Sequence, residues 1–228
     1  MKNKTLLLTA VLGLTSAMAL ATPFSIVWNT DGLSGVTEDP VAGSVTGTPI
    51  VTPVSLNRGP DVAGVSSTNG FSSSGWNSTL GGEFIEFGFT VATGYFVNLD
   101  ESFFGLRATN TGPGNMGLFI STDNFASSVA EFTNLPGGTW VNQVDDLSSL
   151  TNLQGTVMFR LSKLDEVAAN SGAIASGGTF AFGRVNDPID GLVPSGFTGT
   201  VQVIPEPGTL ALIGVSALIL YFRRRTKA

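Results

Sequence analysis

Residues 83–91 read Glu-Phe-Ile-Glu-Phe-Gly-Phe-Thr-Val, an alternation with a period of two. Ile85, Phe87, Phe89 and Val91 fall on one face of an extended segment, with Glu86, Gly88 and Thr90 opposite. Such a pattern suits a β-strand with one face on a core. Phe84 interrupts the polar face, which implies partial burial on both sides.

Strand character recurs along the chain at Phe24–Trp28, Ile50–Ser55, Tyr95–Leu99, Ser102–Arg107, Met116–Ser121, Thr156–Leu161, Thr179–Val185 and Thr198–Ile204. Turn-rich stretches separate these runs, among them Asn57-Arg58-Gly59-Pro60, Thr111–Asn115 and Pro136-Gly137-Gly138. Leu164–Ala175 could form a helix, but Asn170-Ser171-Gly172 makes a loop equally compatible. Short strands with frequent turns predict an all-β sandwich or jelly-roll-like body. The chain holds 16 phenylalanines, and Phe180 and Phe182 alternate as Phe87 and Phe89 do. An aromatic interior accounts for them, since burying a ring stabilises by roughly 1.5–3 kcal/mol without any ligand.

The two ends follow other rules. Lys2 and Lys4 precede an apolar stretch at Leu6–Leu14, and small-x-small sites end at Ala19 and Ala21. This is the layout of a secretory signal peptide over residues 1–21, with Thr22 as the mature start. Near the other end come Pro205-Glu206-Pro207, an uncharged run Leu210–Phe222, and Arg223-Arg224-Arg225 with Lys227. As a helix over about 208–222 the apolar run is short for a ~30 Å hydrocarbon core. Snorkelling arginine stems and local thinning close the gap. The basic cluster places this end in the cytoplasm and the body outside. Pro207 is acceptable in a first helical turn, where its missing N–H is not needed.

Motif, apolar run and basic cluster, in this order, closely resemble the PEP-CTERM sorting signal of Gram-negative bacteria over Val203–Ala228. The same signature also carries the label ice-binding protein C-terminal domain. The resemblance implies recognition by an exosortase, a transpeptidase-like membrane enzyme that cuts near Pro205-Glu206-Pro207, after transient anchoring in the inner membrane. It also implies a destination at the cell surface or in an exopolysaccharide or biofilm matrix. Leu135–Thr139 (Leu-Pro-Gly-Gly-Thr) lies mid-chain with no membrane segment after it, so it is not a sortase signal. The body, a β-sandwich ectodomain over 22–203, is similar to a recurring ectodomain of PEP-CTERM proteins. The likeness runs through Leu56-Asn57-Arg58-Gly59, Asn69-Gly70-Phe71, Gly75-Trp76, Phe87–Val91 and Gly94–Leu99, then Phe103–Arg107, Phe119–Phe125 and Gly155–Leu161. It implies a sandwich and no particular mechanism. Residues 204–228 form the sorting signal.

Charge and chemistry narrow the function classes. Residues 22–204 carry five basic and sixteen acidic side chains, a net charge of −11, which disfavours nucleic acid. Neither cysteine nor histidine occurs. Disulfides, thiolate and imidazole metal ligands and the Ser-His-Asp arrangement are thereby excluded. Chemistry with carboxylates alone, as in glycoside hydrolysis, stays open. Glu83 and Glu86, three apart on a strand, point to opposite faces and cannot form a dyad. Asp145-Asp146 and Asp165-Glu166 read as loop pairs able to contribute to a structural calcium, as does the fragment Asn29–Gly32. No other cofactor is expected.

Trp28, Trp76, Trp140 and Tyr95 are the aromatic candidates for stacking on sugar. Trp76, in the Ser/Gly-rich stretch Phe71–Gly82, is the preferred glycan contact. Thr46-Gly47-Thr48 and Thr198-Gly199-Thr200 lack the repeat period of an ice-binding array, and Asn77-Ser78-Thr79 matches a glycosylation sequon. The expected function is a non-catalytic exported surface or matrix protein that contacts exopolysaccharide. The alternatives are a glycan-active enzyme using carboxylates and a self-associating matrix subunit.

Overall fold

A computed structural model describes residues 20–34, 39–66, 70–187 and 191–204. The leader before residue 20, the sorting residues Pro205, Glu206 and Pro207, the segment 208–222 and the cluster Arg223, Arg224, Arg225 and Lys227 lie outside the described residues.

The described residues are nearly all β. In chain order the strands are β1 (Thr22–Trp28), β2 (Gly43–Thr46), β3 (Val51–Arg58), β4 (Ala63–Gly64), β5 (Phe71–Ser74), β6 (Phe84–Val91) and β7 (Tyr95–Ala108). They continue with β8 (Met116–Ile120), β9 (Ser128–Phe132), β10 (Val141–Asp146), β11 (Thr156–Lys163), β12 (Thr179–Asp187) and β13 (Gly191–Val203). A single 3₁₀ turn, Ser121–Asp123, interrupts them, and Leu164–Ala175 is a loop. The smaller sheet has the order β3-β6-β11-β8-β9, and the remaining eight strands form the larger one.

The sheets meet through aromatic rings. Phe87 of β6 lies 4.8 Å from Trp28, 5.7 Å from Phe104, 5.4 Å from Phe182 and 5.7 Å from Phe197, all on the larger sheet. Ile85, Phe87, Phe89 and Val91 are all buried, as their alternation requires. Edge-on and tilted ring pairs dominate, the arrangements that aromatic quadrupoles favour.

Two segments read separately, Tyr95–Leu99 and Ser102–Arg107, are one strand. The polar pair Asp100-Glu101 is a bulge within it, because the register against β13 slips between Thr198 and Gly199.

The larger sheet contains a less ordinary feature. β10 pairs with residues 101–106 of β7 and β12 with 105–108, so the two occupy opposite edges. β13 pairs with 95–103, shares 101–103 with β10, and therefore lies on the β12 side. β12 and β13 thus line one edge end to end. The hairpin in which Arg184–Asp187 pairs with Gly191–Pro194 is extruded between them. At the junction the Ser195 hydroxyl accepts from Gly105 N at 2.8 Å and donates to Gly183 O at 2.5 Å. A Cβ on Gly105 would come within 2.0 Å of Arg184 O, so only glycine fits there.

Candidate functional site

The outward face of the smaller sheet carries the site. In β11, Val157, Phe159 and Leu161 turn into the core, which sends Met158, Arg160 and Ser162 outward. The register sets Arg160 between Glu86 of β6 and Phe119 of β8, with Ser162 opposite Phe84 and Gly117. Arg160 Nε donates to Glu86 Oε2 at 2.7 Å. Its Cζ lies 4.0 Å from the centroid of Phe84 and 4.0 Å from that of Phe125, so two rings cover the guanidinium.

Phe125 reaches this position through an unusual backbone. Asn124 and Phe125 both take left-handed conformations, with φ of 61° and 59°. For a bulky residue this costs free energy and must be imposed by its surroundings. Phe125 N donates to Ile120 O at 2.9 Å, and the Asp123 carboxylate accepts from Ala126 N and Ser127 N, each at 3.1 Å. The loop after the 3₁₀ turn is thereby held with its ring over Arg160. Gly81, Phe84, Phe119, Phe125, Arg160 and Ser162 line a cavity of about 160 Å³.

Beside it, Lys163 forms a different cluster. Its Nζ donates to Trp76 O at 2.9 Å, Ser78 O at 2.7 Å and Glu166 Oε1 at 2.6 Å, and lies 3.3 Å from Glu83 Oε1. Glu83 and Glu86 therefore face different cations, as their spacing demands.

The other sequence candidates fall as follows. Trp76 is fully buried, with its indole N–H bonded to Ser73 O at 2.9 Å and its ring 5.4 Å from Phe180. Its expected role as an open glycan contact is corrected, because the stretch opens as strand β5 (Phe71–Ser74) and the turn after it folds the ring into the core. Trp28 is likewise buried, its N–H bonded to Val54 O at 2.9 Å, and Tyr95 packs half-buried against the core. Trp140 alone among the tryptophans is partly exposed, on the outer face of the larger sheet over Gly183, where an added Cβ would meet its ring at 2.3 Å.

Asp145 and Asp146 sit on β10 and not in a loop, pointing to opposite faces. Burial raises the Asp145 pKa, whereas hydrogen bonds from the Ser148 side chain and backbone lower that of Asp146. Asp165 accepts from Asn115 Nδ2 and Val167 N, and Asp31 pairs with Arg184 Nη1 at 2.7 Å. Among the described residues no three carboxylates converge as a metal site. Thr46, Ser25 and Thr198 share one row across β2, β1 and β13, but Thr48 is buried and does not extend it.

Sequence reasoning missed the Arg160 cradle because its parts come from β6, β8, a loop and β11. The available signals were Phe84 and Phe119 at outward positions and a lone arginine between Phe159 and Leu161.

A family model described as the PEP-CTERM protein-sorting motif matches residues 203–225. Pro205, Glu206, Pro207, Arg223, Arg224 and Arg225 lie within the match, and Lys227 just beyond it. The match supports recognition by exosortase, export, and sorting to the cell surface. No curated protein matches the chain.

Proposed function

We propose that this chain is an exported protein whose acidic β-sandwich is displayed outside the cell and holds exopolysaccharide of the surface matrix without altering it. The segment about 208–222 anchors it transiently in the inner membrane, with Arg223–Arg225 and Lys227 on the cytoplasmic side. No cofactor is required.

The observation that carries the body's part of this reading is the open cradle of Arg160, Phe84, Phe119 and Phe125 on the outer sheet face. Aromatic faces beside a fixed guanidinium suit sugar rings, which present apolar C–H faces and polar edges. A carboxylate-only hydrolase needs two acids flanking the bond it cleaves. None of the six residues lining the cavity is acidic. Glu86, the adjacent carboxylate, is engaged by Arg160.

Two measurements test the proposal in an exosortase-positive host. Deleting residues 205–228 is expected to abolish processing and change the cellular location, read by mass and fractionation. An unchanged mass and location would overturn the sorting role. Purified processed protein is expected to co-sediment with host exopolysaccharide and release no reducing ends. Steady release of reducing ends would replace this reading with the enzymatic one.

A further inference from the structure

We infer that the Arg160 cavity is a subsite for a single neutral pyranose ring bearing adjacent hydroxyls, and that it discriminates against uronic acids. The inference rests on the polysaccharide reading above and narrows it to a ligand class.

The guanidinium is partly enclosed, its side chain 32% exposed. Phe84 and Phe125 cover its faces, and Glu86 occupies Nε. Among the described residues the terminal nitrogens Nη1 and Nη2 have no hydrogen-bond partner, and neither does Glu86 Oε1. The site therefore presents a fork of N–H donors beside one carboxylate acceptor. Adjacent hydroxyl groups match that set, because each both donates and accepts. A carboxylate ligand would match the donors alone and would be repelled by Glu86, which already balances the arginine charge.

A second cation would be needed to favour an acid, and none serves here. Lys163, the other cation on β11, is saturated by Glu83, Glu166 and two carbonyl oxygens. The net charge of −11 over residues 22–204 opposes a polyanion at longer range. Phe119, half-buried opposite Arg160 in the register, supplies an apolar wall for the C–H face of a ring. The volume of about 160 Å³ is well below the ~300–1,000 Å³ of pockets that enclose drug-sized ligands. One ring of a chain fits, with its neighbours in solvent.

The test uses the processed protein and two panels of oligosaccharides. One holds neutral gluco-, manno- and galacto-hexamers, and the other hexamers of guluronate, mannuronate and galacturonate. Binding is read by calorimetry and ligand-observed NMR.

At least one neutral hexamer is expected to bind with little dependence on salt and the uronates much more weakly. Arg160→Ala and Phe119→Ala should each weaken neutral binding about tenfold or more, with unchanged circular dichroism. Glu86→Gln, which removes the repelling charge, should lower the ratio of neutral to uronate affinity read on the two panels.

Tighter binding of uronates than of neutral hexamers would overturn the inference while leaving the polysaccharide reading intact. Neutral binding that survives both Arg160→Ala and Phe119→Ala would also overturn it, by placing the contact elsewhere. Absence of binding by both panels and by host exopolysaccharide would remove both readings.

Discussion

Lys163 and Arg160, three residues apart on one strand, use the same ion-pair chemistry to opposite ends. Lys163 turns toward the interior, its side chain 12% exposed beside a Glu83 that is 3% exposed. All its hydrogen-bonding capacity is spent, and it ties the Trp76–Ser78 backbone to β11. Arg160 turns outward, 32% exposed, with one carboxylate partner and two ring contacts. One cation is saturated and structural. The other is immobilised with donors to spare, which is the preparation a binding group needs, because the cost of ordering it is met before any ligand arrives.

The largest effect expected from disturbing this contrast is at Lys163. Lys163→Met leaves Glu83 as an uncompensated buried charge and should destabilise the fold by about 3–5 kcal/mol, read by urea or thermal unfolding. Lys163→Met combined with Glu83→Gln should recover part of that loss. A single variant within about 1 kcal/mol of the parent would show the two clusters to be equivalent.

Arg160→Ala comes next and should cost only about 1 kcal/mol or less, since the Arg160–Glu86 pair is partly exposed. A loss as large as that at Lys163 would make Arg160 structural.

The smallest effect concerns Asp145, a half-buried carboxylate on the edge strand β10. Burial raises its folded pKa above the ordinary 3.8, so the folded state binds its proton more tightly than the unfolded state. Stability from this group is then present below the unfolded pKa and lost as pH rises through the folded one. Asp145→Asn should accordingly raise the melting temperature near neutral pH and make no difference in acid. The variant also removes an inward charge that guards a free sheet edge. Concentration-dependent sizing of Asp145→Asn against the parent would reveal any self-association that the aspartate suppresses.

What could be read in advance followed from patterning. The alternation of Ile85, Phe87, Phe89 and Val91 gave β6 and its buried face, and the same logic placed Phe180 and Phe182 inside. Strands without an apolar pattern stayed hidden. Phe71-Ser72-Ser73-Ser74 forms β5, and Val141–Asp146 forms β10, because neighbouring strands supply the pairing. Trp76 misled for a related reason: a Ser/Gly-rich context resembles an exposed loop, yet Ser72 and Ser73 are themselves buried. The Arg160 cradle needed the register of three strands and a left-handed Phe125, none of which is encoded within one short segment. Phe84 alone gave notice, by breaking the polar face of its strand.

The last described strand, β13, is bonded on both flanks, to β1 along Thr22–Trp28 and to β7 along Tyr95–Phe103. Ile204 N continues this grip on Gly94 O at 2.8 Å, and the sorting segment follows at once. Tension applied through that segment along the strand axis would have to shear both ladders together. The strand that leads into the sorting segment is thus held from both sides, where an edge strand would be held from one.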